Sequence, residues 1–182
     1  MDEFKHEDVL VTELTKRKIN PERIRNVFLG LNDGLVEILG AVSGFFGAFG
    51  SARLVLIAAL TTAVAGALSM AAGSFLALNS EKEVKTTEIA RKVFLGEESD
   101  VTPMEESPLG SAVVVGVAYI TGALVPVLPV LVGAKDALFS VFTAGLMVIL
   151  VSTILSFLSG MDIKRRIVLN LVIITVAVSV SY

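Results

Sequence analysis

Five apolar runs divide this 182-residue chain: 27–50, 54–78, 110–131, 137–159 and 167–182. A bilayer core takes about 20 helical residues to cross, and the first four runs each supply that length. The fifth has 16 residues and would reach about 24 Å as a helix, a shorter span. With 54% hydrophobic residues and a mean hydropathy of +0.79, the chain carries more apolar surface than a water-soluble core could bury. The expected class is an all-α integral membrane protein with five transmembrane helices. No period of a repeat array is present, and an odd number of spans does not divide into two inverted halves.

Apart from Asp33 and Glu37, the charges lie between the runs, and thirteen of the 15 Lys and Arg fall on one side. Lys5, Lys16, Arg17, Lys18, Arg23 and Arg25 precede the first run; Lys82, Lys85, Arg91 and Lys92 follow the second; Lys164, Arg165 and Arg166 follow the fourth. Only Arg53 and Lys135 oppose them. The positive-inside rule places the amino terminus in the cytoplasm and the carboxyl terminus outside, giving a multi-pass topology. The acidic start, with Asp2, Glu3, Glu7 and Asp8, is unlike a signal peptide.

The spans divide the chain into four parts. Residues 1–19, with Phe4, Leu10, Val11 and Leu14 among charges, suit an amphipathic helix on the cytoplasmic membrane surface or a solvated tail. Asn20-Pro21-Glu22 then reads as a cap, a first-turn proline and a first-turn acid, opening a helix that enters the first span. Residues 20–78 hold spans one and two, and 109–182 hold spans three to five. Between them, 79–108 carries eight of the 18 acids, including Glu81 and Glu88. Charge runs are usually solvated, so a helical hairpin is the plain reading. The sharper one is a cytoplasmic site that collects divalent cations on glutamate oxygens, with Met104 nearby.

Inside the first span, Asn26, Gly30, Asp33, Glu37, Gly40, Gly44, Gly47 and Ser51 recur at steps of three and four and share one helix face. Each carboxylate in a membrane helix costs roughly 2.5–3.5 kcal/mol on insertion scales and marks an ion or proton path. The small residues Gly30, Gly40, Gly44 and Gly47 would let a second copy approach. With no cysteine and only His6, a metal site here must use carboxylate, amide, carbonyl or thioether groups. Asp33 and Glu37 lie about 12 and 18 Å along the helix from Arg25, and Met70 about 16 Å from Glu81 on the returning span. These three side chains can occupy one level, beside Asn32 and the small Ser69. If a twofold axis pairs two chains along the stripe, four carboxylates meet and share protons, which a divalent cation would displace. Met70 would favour Fe2+ over Ca2+ or Mg2+ through its softer sulfur.

Asn32-Asp33-Gly34-Leu35-Val36 in span one and Gly66-Ala67-Leu68-Ser69-Met70-Ala71-Ala72-Gly73 in span two resemble the vacuolar iron transporter family. With the acidic segment and the prolines of span three (Pro108, Pro126, Pro129), the resemblance covers residues 20–182. It implies a homodimer of five-helix protomers exporting Fe2+, and often Mn2+, from the cytoplasm in exchange for protons. The path would lie at the dimer interface, lined by Asp33 and Met70. The chain departs from the family at Gly73-Ser74-Phe75, where a carboxylate is expected at position 74, and Glu37 stands ready to compensate from the neighbouring helix. Its acidic segment is also shorter than the metal-binding domain of long members. The partners expected are thus a divalent metal ion as cargo, protons, lipid and a second copy, with no permanently bound cofactor and no nucleic acid. A prokaryotic plasma membrane is the expected location, or a vacuolar one in a eukaryote. An enzyme is disfavoured, because an aspartyl protease needs aspartates on two helices and Asp33 is the one aspartate well inside a span. The alternatives are a carrier of another cation and a non-transport assembly protein that dimerises through the glycines.

Overall fold

The computed structural model describes residues 21–96, 107–159 and 163–181, and all of its regular structure there is helical. Helices α1 (Pro21–Phe49), α2 (Ala52–Leu95), α3 (Pro108–Leu131), α4 (Leu138–Ser159) and α5 (Ile163–Ser181) follow one another in the chain. Three are long and apolar enough to cross a membrane: α1 from Arg23, α2 and α3. The apolar stretches Leu138–Ile154 of α4 and Ile167–Ser181 of α5 are shorter. The expected amphipathic segment at 1–19 lies outside the described residues.

The local chemistry accounts for the helix ends. α1 begins at Pro21, whose fixed φ and missing N–H suit a first turn. Gly50, at φ 57°, and Ser51 then reverse the chain in two residues, so α2 returns antiparallel along α1. At the start of α3, Ser107 accepts a hydrogen bond from the Gly110 N–H at 3.4 Å and Pro108 takes the first turn.

α2 runs on for 44 residues, about 66 Å, and passes beyond its apolar part without a break. The helix continues through the apolar-to-charged change at Asn79 as far as Leu95, with no glycine or proline between Gly73 and Gly96; the rest of the expected hairpin, 97–106, lies outside the described residues. Gly96 closes it in the left-handed conformation, its N–H bonded to the carbonyls of Lys92 and Val93. Pairs four residues apart support this charged extension: Glu81 with Lys85 at 2.8 Å, Glu88 with Lys92 at 4.0 Å, and Asn79 donating to Glu83 at 2.8 Å.

The bundle is organised around α1. It packs against all four other helices, while α2 touches α3, α3 touches α4 and α4 touches α5. Among the described residues no contact joins α2 to α5. The four helices therefore form an incomplete ring around α1, open between α2 and α5. One core cluster gathers Ile38 and Val42 of α1, Val55, Ala59, Ala63 and Ala67 of α2, and Tyr119, Ala123, Val127 and Val130 of α3. A second joins Leu35 and Leu39 of α1 to Ala144 and Val148 of α4 and Ile174 of α5.

Small residues set the closeness of α1 and α3. A Cβ on Gly34 would strike the Tyr119 backbone carbonyl, and one on Gly122 would strike that of Leu31. At the start of both helices, buried Asn26 donates to Ser111 at 3.4 Å. The shared face expected of the α1 stripe is thus divided among neighbours. Gly30 lies against Val115 and Ala118 of α3, and Gly40 and Gly44 lie against Ala177 and Ser181 of α5. Gly30, Gly40 and Gly44 of the expected dimer stripe are thus met by helices of the same chain, while Gly47 is exposed. A shared face says which residues look one way, and helices crossing at an angle can still take different parts of it.

Candidate functional site

Asp33 and Glu37 occupy successive turns of α1 near the middle of its length. Asp33 is half-buried and Glu37 is exposed on the open side of the ring. A carboxylate on the outside of an apolar helix is the costliest place for it in lipid, so this side calls for water, an ion or another polar surface.

Tyr119 of α3 ties this level together. Its side chain is fully buried, and its hydroxyl donates to Oε2 of Glu37 at 2.7 Å. The same hydroxyl lies so close to Gly66 of α2 that any side chain there would overlap it. Three helices thus meet at one hydrogen bond.

Met70 follows one turn after Gly66, half-buried against the core cluster that contains Tyr119. Because α1 and α2 run antiparallel, Gly66 to Met70 descends the same 6 Å or so as Glu37 back to Asp33. Met70 therefore stands at about the level of Asp33. Ser69 and Gly73 are exposed and share a helix face with Gly66, continuing α2 along the opening with small side chains. Asn32, half-buried, projects about 100° around α1 from Asp33, so it does not share the carboxylate face.

The expected cytoplasmic acids sit elsewhere. Glu81 and Glu88 are exposed on the α2 extension and each pairs with a lysine of its own helix. Glu97, Glu98, Asp100, Glu105 and Glu106 lie outside the described residues, as does Met104. Among the described residues no group of three or more His, Asp or Glu side chains gathers around a common point. Among the described residues, Asp33, Glu37 and the half-buried Met70 thus stand near one level of the bundle.

Tyr119 was not singled out from the sequence. A tyrosine in the middle of an apolar run needs an acceptor for its hydroxyl, and the acid on the neighbouring span was the available one. That signal was present in the sequence.

The pattern of the VIT family matches residues 24–100 and 90–182, which together take in every helix of the bundle. The chain belongs to the VIT family. Among curated proteins, this VIT-family chain is 34% identical over 108 residues to "Vacuolar iron transporter homolog 1" of Oryza sativa subsp. japonica, covering 58% of this chain and 46% of that one. It is 35% identical over 86 residues to "Vacuolar iron transporter" of Centaurea cyanus, covering 47% and 34%. With "Vacuolar iron transporter 1" of Arabidopsis thaliana it shares 26% identity over 154 residues, covering 59% and 62%. The chain spans about half the length of the curated relatives it matches. Membership, together with the long apolar helices, supports a membrane protein.

Proposed function

We propose that two copies of this chain pair across the opening between α2 and α5 and export Fe2+, or Mn2+, from the cytoplasm in exchange for protons. The observation that supports this reading is the placement of Asp33 and Glu37 on the side of α1 that the described residues leave uncovered. A second copy related by a twofold axis brings four carboxylates and two Met70 thioethers to one level. That set supplies the oxygen and soft sulfur donors suited to a first-row divalent cation. Carboxylates so close share protons, and a cation entering from the cytoplasm releases them; protons returning from outside release the cation.

All five helices cross the bilayer in this reading, with Lys and Arg holding the amino terminus in the cytoplasm and the carboxyl terminus outside. The membrane is a prokaryotic plasma membrane, or a vacuolar one in a eukaryote; both send the metal to the topological outside. Iron as the cargo agrees with the names of the relatives.

Fe2+ flux into proteoliposomes under an imposed pH gradient tests it. Wild type should take up Fe2+ only with the gradient, and Asp33→Asn and Glu37→Gln should each lose most of that flux while remaining folded. Intact gradient-driven flux in Asp33→Asn would refute the carboxylate mechanism.

A further inference from the structure

Glu37 presents its two oxygens differently. Oε2 accepts the Tyr119 hydroxyl at 2.7 Å, while the residue as a whole is exposed on the open side of α1. The Tyr119 ring is fully buried among α1, α2 and α3, and Gly66 closes the space beside its hydroxyl. The hydroxyl therefore has little freedom to swing away, and an arriving ion meets Oε1 first.

This asymmetry bears on which ions fit. Ca2+ takes six to eight oxygen ligands at about 2.3–2.6 Å and commonly draws both oxygens of a carboxylate. Smaller divalent transition ions need fewer ligands and can bind a carboxylate through one oxygen. A hydrogen bond to the other oxygen then orients the ligand, and losing such an outer partner typically costs about 10–100-fold in metal affinity.

We propose that Tyr119 is a specificity-determining positioning residue: by holding Oε2, it makes Glu37 a one-oxygen ligand and so discriminates against Ca2+ in favour of smaller divalent cations. This rests on the transport reading only in taking Glu37 as a ligand of the cargo.

Equilibrium binding of Mn2+ to the purified full chain, with Ca2+ as competitor, tests it in wild type and Tyr119→Phe. The phenylalanine keeps the ring and removes only the O–H. Mn2+ should bind about tenfold more weakly in the variant. Ca2+ should compete about tenfold better relative to Mn2+, a ratio that loosened packing alone would not move. Gly66→Ala, which displaces the hydroxyl without removing it, should shift the ratio in the same direction. An unchanged ratio in Tyr119→Phe, or no Mn2+ binding by wild type, overturns the proposal.

Should neither variant fold, the wild-type protein still decides. Infrared difference spectra against Glu37→Gln should show one-oxygen carboxylate ligation with Mn2+, and two-oxygen ligation would overturn the proposal. Pairing these measurements with gradient-driven flux separates the two readings. A shifted ratio without wild-type flux sinks transport and leaves Tyr119 its role; flux with an unshifted ratio does the reverse.

Discussion

The Gly34 α-carbon lies against the backbone carbonyl of Tyr119, with no room for even a methyl group between them. The contact brings α1 and α3 close enough for the Tyr119 side chain to reach past α1 and meet Glu37 near Gly66. Closeness of the two backbones and the hydrogen bond at the candidate site are thus one arrangement.

Gly34→Ala should therefore destabilise the protein although alanine is the better helix former. Overpacking costs typically about 1–3 kcal/mol, more than the roughly 1 kcal/mol that alanine gains over glycine in a helix. Gly145→Ala is the matched control, because nothing lies within 4 Å of a Cβ built there. Thermal unfolding in detergent should show a lower midpoint for Gly34→Ala and an equal or higher one for Gly145→Ala. Equal midpoints for the two variants would mean that α1 and α3 are not in contact at Gly34.

Ser140 of α4 is fully buried, and its hydroxyl has no hydrogen-bond partner among the described residues. An unmet buried donor carries a desolvation cost of about 1–3 kcal/mol, so removing the oxygen should do no harm. Ser140→Ala is expected to match or exceed the wild-type unfolding midpoint. A clear loss of stability would reveal a polar partner for Ser140.

Much of this arrangement could be read from residues alone. The step of three and four placed Asp33 and Glu37 on one turn-to-turn face, and counting along two antiparallel helices set Met70 level with them. Periodicity is a property of one helix, however, and cannot say which neighbour covers each part of its face. Gly30 went to α3 and Gly44 to α5 for reasons of crossing angle that no single helix encodes. The change from apolar to charged residues at Asn79 bounds a membrane span but not a helix, which ends where a residue such as Gly96 lets the backbone turn.

The α2 extension gives a prediction against the sharper reading of its acids. Glu81 and Glu88 pair with Lys85 and Lys92, and exposed pairs of this kind contribute only about 0.3–0.5 kcal/mol each. The double variant Glu81→Gln, Glu88→Gln should lose a small, salt-sensitive part of its helical circular dichroism. Its Mn2+ affinity and gradient-driven flux should stay within about twofold of wild type. A larger fall in affinity would return these glutamates to a metal site.

The opening between α2 and α5 yields the most direct test of pairing, because the chain has no cysteine and any thiol introduced into it is the only one. Ser69 is exposed and shares a face with Gly66 and Gly73 beside the carboxylates, whereas Phe142 is exposed on α4, which sits between α3 and α5 and does not border the opening. If two copies meet across the opening, Ser69→Cys places two thiols near a twofold axis, within reach of a short bifunctional reagent. Phe142→Cys places them away from it. In native membranes Ser69→Cys should cross-link to a dimer in high yield, Phe142→Cys should not, and Mn2+ should change the Ser69→Cys rate by occupying the same level. Equal cross-linking at both positions would mean random encounter in the membrane. Cross-linking at Phe142→Cys alone would move the partner to α4 and leave Glu37 facing water within a single chain.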